Sequence, residues 1–222
     1  MNLLTFLKTN FLHVAPILLL GIAGMVIIIE RAYALFVTYS MNSRAAFMEK
    51  ISDLVMKAKI SDAISVCDQT GNKPVAKIVK SALARAHLPE GLISDGVMLA
   101  VQNSTRALMK RTAFLATIAN VATLLGLFGT IAGLIQSFEA VGHADAQQKA
   151  ALLSAGIATA MNATMLGLGV AIPCMIAFSF LSNRTNHLIS EYEESAVQIT
   201  DVLKQRFYAG RYRFCWPSTD VR

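Results

Sequence analysis

Between Thr112 and Phe138, and again between Ala150 and Asn183, the chain carries no Asp, Glu, Lys or Arg. An α-helix needs only about 20 apolar residues to cross the hydrocarbon of a bilayer, so each run is expected to be a transmembrane helix. Both runs nevertheless hold hydroxyl or amide groups near their middles: Thr123 and Thr130 in the first, Thr159, Asn162 and Thr164 in the second. A lipid-facing helix has no use for buried hydroxyls. These groups point to surfaces turned toward other helices or toward a hydrated path.

Composition agrees with a bilayer as the solvent. The 222 residues are 55% hydrophobic and 15% charged, against about 25% charged in a soluble domain. A third charge-free run, Val14 to Ile29, reaches spanning length once Leu12 and His13 are added. Ala32-Tyr33-Ala34 resembles a signal-peptide cleavage site. Lys8 is the one charged side chain before the run, however, and Glu30-Arg31 follows it directly, so an uncleaved span is expected. The segment from Arg31 to Arg111 holds 12 of the 20 Lys and Arg residues, and the stretch from Arg184 onward holds six. The positive-inside rule then places the amino terminus in the periplasm, and the long loop and carboxyl-terminal part in the cytoplasm. The basic pI is thereby a topology signal. No nucleic-acid partner is expected, since the basic residues are not interleaved with aromatics along one stretch.

The remaining segments read as helices. Phe47, Ile51, Leu54, Val55 and Ala58 give helical spacing within Ser43 to Asp68. Gly71 and Pro74 should stop one helix and start the next, and Pro89-Glu90-Gly91 should break that one. No Pro lies between Leu92 and Phe138, which leaves room for one continuous long helix. Ile189, Tyr192, Ala196, Ile199 and Leu203 form a coiled-coil-like seam, equally consistent with packing on the loop helices. Tyr208 to Arg222 reads as a loose tail. The expected fold is all-α: an integral membrane protein with three transmembrane helices, the second and third extending into a cytoplasmic helical bundle. Its parts are a periplasmic start and first span (1–36), a cytoplasmic hairpin with the start of the second helix (37–111) and the second span (112–138). A short periplasmic loop (139–149), the third span (150–183) and a cytoplasmic helix and tail (184–222) complete it.

Chemistry-bearing patterns are sparse. Cys67, Cys174 and Cys215 fit no paired-cysteine spacing, and the four histidines fall in four regions, so no metal or cofactor is expected. No nucleophile–base or phosphate-loop pattern supports an enzyme. Small residues are better placed. Gly126, Gly129 and Gly133 lie on one face of the second span, and Gly156 with Ala160, then Ala163 with Gly167, repeat the small-xxx-small spacing that lets helices approach in lipid. Thr130 and Thr164 each have a glycine three residues on. A membrane threonine commonly bonds back to its own helix and does nothing else, but two of them in adjacent spans, beside Thr159 and Asn162, raise the case for a path. Proton or cation movement normally involves an ionisable group. The one carboxylate near a span is Glu30, expected to pair with the adjoining Arg31, so a conducting assembly would need a partner helix to bring the carboxylate.

Thr123 through Gly133 resembles the second-span motif of the MotA/TolQ/ExbB proton-channel family. Gly156-Ile157-Ala158-Thr159-Ala160, with Ala163-Thr164 and Gly167-Leu168 through Pro173, resembles its third-span motif, and Glu30-Arg31 also fits. The resemblance implies a homopentamer lined by the second and third helices around an ExbD/TolR-like dimer, whose single spans each carry an Asp. Proton flow past that Asp would drive rotation and deliver work across the envelope, through a TonB- or TolA-like protein. Thr130 and Thr164 match the family's paired pore threonines, and Thr123, Thr159 and Asn162 join them as expected pathway residues. Thr159 stands where many members have Glu, and Thr123 where many have Pro. These departures leave open a sodium-driven or gliding-motility relative; a non-conducting membrane scaffold is the reading from another class.

Overall fold

The computed structural model describes residues 11–41, 43–71 and 73–215. The described residues are almost entirely helical: α1 (Phe11–Tyr33), a π-helical turn (Ala34–Thr38), α2 (Arg44–Met56), α3 (Ile60–Gln69), α4 (Pro74–Ala84), α5 (Glu90–Met109), α6 (Thr112–Gly142) and α7 (Lys149–Cys215). Three stretches are long and apolar enough to cross a membrane: Ala15–Thr38, which covers most of α1; Glu90–Gly142, which covers α5 and α6; and Lys149–Tyr208, which covers most of α7. Contacts divide the chain into two compact units, one of residues 1–33 and 111–183, the other of residues 34–110 and 184–222.

The first unit packs α1, α6 and the first half of α7. Ile118, Ala119 and Ala122 of α6 meet Ala171 and Cys174 of α7, and Leu20, Ile27 and Ile28 of α1 cover them. Small residues set the spacing. A methyl group on Gly24 of α1 would lie 2.8 Å from the Cys174 Sγ, and one on Gly21 would lie 3.1 Å from Val170. The outer faces are the reverse of a soluble protein's. Leu124, Phe128, Ile131 and Ile135 of α6 and Met161, Met165, Ile172 and Ile176 of α7 are all more than half exposed. An apolar belt of this kind is a liability in water and neutral in lipid. Pro16 and Pro173 sit inside α1 and α7, a placement that membrane helices tolerate better than soluble ones.

The second unit is a helical bundle of α2 to α5 with the second half of α7. Its core includes Phe47, Ile51, Val55, Ile78, Val79, Leu83, Leu108, Tyr192 and Ile199, all buried. Tyr192, Ala196, Ile199 and Leu203 of the seam are thus committed to packing within the chain. Gly71 takes the left-handed conformation (φ +77°) just past α3, and Pro74 opens α4. Lys73, at the N-cap of α4, donates its ammonium to the carbonyls of Val37, Thr38 and Ser40 at 2.8, 3.2 and 2.9 Å. It thereby satisfies carbonyls that the end of the π-helical turn leaves open. Arg44 ties α2 to α7 through the Glu191 carbonyl (3.0 Å) and the Glu194 carboxylate (2.7 Å).

Three sequence expectations change. The helical stretch from Ser43 to Asp68 is two helices, broken where Ala58 turns left-handed at φ +62°. The run from Leu92 to Phe138 is also two, because Arg111 takes φ +67° between α5 and α6. Neither break is marked by Gly or Pro. At the carboxyl end, α7 continues to Cys215 rather than loosening at Tyr208; residues 216–222 of the expected tail, and 1–10 of the expected periplasmic start, lie outside the described residues.

Candidate ion-pathway face

The seam between α6 and α7 is built from the glycines. A methyl group on Gly129 would lie 2.7 Å from the Ala163 Cβ, and one on Gly133 would lie 3.1 Å from the Ala160 Cβ. On Gly126 it would sit 3.2 Å from the Gly167 Cα, and on Gly167 it would sit 2.7 Å from the Ala122 carbonyl oxygen. Gly156 accommodates Ser137, a buried serine whose hydroxyl donates to the Gly133 carbonyl at 2.6 Å. All five glycines therefore lie where α6 and α7 of one chain come together. Backbones this close bring hydroxyls into reach of the neighbouring helix's carbonyls.

The threonines flank this seam. Thr123, exposed, donates to the Ala119 carbonyl at 3.0 Å, and half-buried Thr130 donates to Leu127 at 2.6 Å. Half-buried Thr159 donates to Ala155 at 2.9 Å. These three bond back within their own helices. Thr164 does not: its hydroxyl crosses to the Gly126 carbonyl of α6 at 3.1 Å. In each case the hydroxyl spends its proton on a backbone carbonyl and keeps its oxygen lone pairs for accepting.

The five polar residues do not share one face. At about 100° per residue, Thr123 and Thr130 lie on the same side of α6, while Thr159 and Asn162 are about 140° and 160° round α7 from Thr164. The α1 helix marks the two sides. It packs on Ile118 of α6 and on Val170 and Cys174 of α7. On α7, Thr159 lies about 20° round from Val170 and Asn162 about 80° from it, while Thr123, Thr130 and Thr164 lie toward the other groove of the α6–α7 pair.

Glu30 accepts from Arg111 at 2.5 Å, not from Arg31. Adjacent residues on a helix point about 100° apart, so an i,i+1 pair was the wrong expectation. Arg31 and Thr112 are buried, and Arg31 Nε and Nη1 and the Thr112 hydroxyl find no partner among the described residues. An Arg directly after an apolar run was the available signal. No group of three or more metal-ligating side chains occurs among the described residues.

A three-span helical membrane protein with long charge-free stretches in two helices, joined by a glycine seam and flanked by threonines, is the class that fold and site define. The model of the MotA/TolQ/ExbB proton channel family matches residues 70–194. The chain belongs to that family. It is 36% identical over 123 residues to the Tol-Pal system protein TolQ of Haemophilus influenzae, covering 54% of each chain. With TolQ of Pseudomonas aeruginosa it shares 34% over 134 residues, 56% of this chain and 57% of the other. With the biopolymer transport protein ExbB of Neisseria gonorrhoeae it shares 28% over 160 residues, 66% of this chain and 68% of the other. The chain thus spans little more than half the length of the two TolQ proteins.

Proposed function

We propose that this chain is the pore-forming subunit of an ExbB/TolQ-type complex that converts ion-motive force into mechanical work across the bacterial envelope. In this reading five copies surround the transmembrane helices of an ExbD/TolR-like partner in the inner membrane. The amino terminus is periplasmic, the α2–α5 bundle is cytoplasmic, and a TonB- or TolA-like protein receives the work. The observation that carries it is the groove of the α6–α7 pair opposite α1, where Thr123, Thr130 and Thr164 sit on helices without a single Asp, Glu, Lys or Arg between Thr112 and Phe138 or between Ala150 and Asn183.

The chemistry follows from what those hydroxyls have left. Because Thr164 donates to Gly126 and Thr130 to Leu127, each can accept a hydrogen bond from a protonated carboxyl group. Deprotonation removes that donor, so a carboxyl on the partner's helix is held in one state and released in the other. The titratable group belongs to the partner; the fixed acceptors belong to this chain. Thr159 and Asn162, on other faces of α7, complete the set of expected pathway residues.

Purification from the native membrane tests the reading. A one-span protein with an Asp in its membrane segment should co-purify, and proton flux into vesicles holding the complex should fall in Thr130→Val and Thr164→Val. Isolation of an intact assembly without such a partner, or full flux in both variants, would overturn it.

A further inference from the structure

Arg31 is 5% exposed, and its Nε and Nη1 are buried without a hydrogen-bond partner among the described residues. Arginine does not deprotonate in a protein, so it cannot escape burial by becoming neutral. A buried charge without a counter-charge is strongly unfavourable. Thr112, also 5% exposed, buries a hydroxyl oxygen with no partner among those residues. The two follow Glu30 and Arg111 by one position each, and Glu30 and Arg111 are joined at 2.5 Å. Both therefore belong to the place where α1 ends and α6 begins. There α6 starts without a side-chain cap, leaving first-turn N–H groups and the positive end of the helix dipole.

Its own unit offers Arg31 no spare carboxylate. The unit that holds Arg31 contains three carboxylates, Glu30, Glu139 and Asp145. Glu30 is bonded to Arg111, and Glu139 is 27 positions beyond Thr112, roughly 40 Å along the helix. The end of a transmembrane helix lies at the depth of the headgroups, where phosphate is the abundant anion. A guanidinium's planar fork matches phosphate oxygens in a way an ammonium does not.

We propose that Arg31, assisted by the Thr112 hydroxyl, binds the phosphate of an anionic phospholipid headgroup where α1 ends and α6 begins. This site is separate from the threonine groove and does not depend on ion conduction.

The experiment uses the full chain in nanodiscs of phosphatidylcholine, with and without phosphatidylglycerol, read by thermal unfolding. Native mass spectrometry then counts the lipid retained after detergent washing. Phosphatidylglycerol should raise the unfolding midpoint of the wild type and survive washing. Arg31→Gln should abolish the lipid-dependent rise and cut retention about tenfold or more, the equivalent of 1.4 kcal/mol. Arg31→Lys, which keeps the charge and loses the fork, should be intermediate, and Thr112→Val should show a smaller loss. If Arg31→Gln does not fold, the Lys and Thr112→Val variants decide the matter. Equal retention in all variants would overturn the proposal. A full midpoint rise from inorganic phosphate in phosphatidylcholine alone would reassign the site to a free anion and overturn the lipid assignment.

Discussion

Thr164 of α7 donates its hydroxyl proton to the carbonyl of Gly126 on α6, 3.1 Å away. The bond exists because neither Gly126 nor Gly167 has a side chain. A methyl group on Gly167 would lie 2.9 Å from the Gly126 Cα, so the backbones approach until a short side chain can reach across. One contact therefore joins the packing seam to the groove that carries the proposed path.

Replacing Thr164 separates the two roles. Thr164→Val keeps the shape and removes one interhelical hydrogen bond, worth about 0.6 kcal/mol in a membrane bundle. The variant should fold, with its thermal midpoint lowered slightly, while proton flux falls sharply; Thr164→Ser should restore much of the flux. A flux loss matched by an equally large loss of folded protein would reduce Thr164 to a packing residue.

Gly167→Ala should be among the most damaging single-methyl additions in the first unit. Its new carbon meets backbone, the Ala122 carbonyl oxygen at 2.7 Å and the Gly126 Cα at 2.9 Å, and backbone cannot swing aside as a flexible side chain can. The expected loss is about 1–3 kcal/mol. Gly169→Ala, two residues on with nothing within 4 Å of the new carbon, is the control and should be neutral or slightly stabilising. Thermal unfolding of the two variants in the same detergent compares them.

Much of this was legible in the chain because membranes impose few solutions. Long charge-free runs have to be helices, and small residues four apart have to be seams, so α6, α7 and their contact followed from pattern alone. Gly71 and Pro74 marked a real boundary for the same local reason. The breaks at Ala58 and Arg111 were not legible, since neither residue favours positive φ and only tertiary packing selects it. The partner of Glu30 was hidden likewise, being 81 positions away at Arg111.

Ala58 offers a direct measure of that hidden strain. It holds φ +62° and is exposed, a conformation that costs an L-residue roughly 1–2 kcal/mol. Ala58→Gly removes the penalty and returns part of it as unfolded-state entropy. The net expectation is a gain of about 0.5–1 kcal/mol in the stability of the α2–α5 bundle. Unfolding in graded denaturant checks it, and a loss of stability would show that the turn is not strained.

Cys67 provides a pH test in the same bundle. Burial, and secondarily the neighbouring Asp68, push its thiol up from an ordinary 9.0 to about 11, against the opposing pull of Lys80. The folded state holds the proton more tightly than the unfolded state, so this contribution is complete below about pH 9. It is lost as pH rises toward 11, where unfolding releases a proton. Thermal midpoints should therefore decline more steeply between those values in the wild type than in Cys67→Ala, whose small side chain has nothing to titrate. The same burial should leave the native thiol almost inert to maleimide at pH 8, with rapid labelling only after denaturation. Fast labelling of Cys67 in the folded protein, assigned by peptide mapping so as to separate it from Cys174 and Cys215, would mean that α3 opens readily from the bundle.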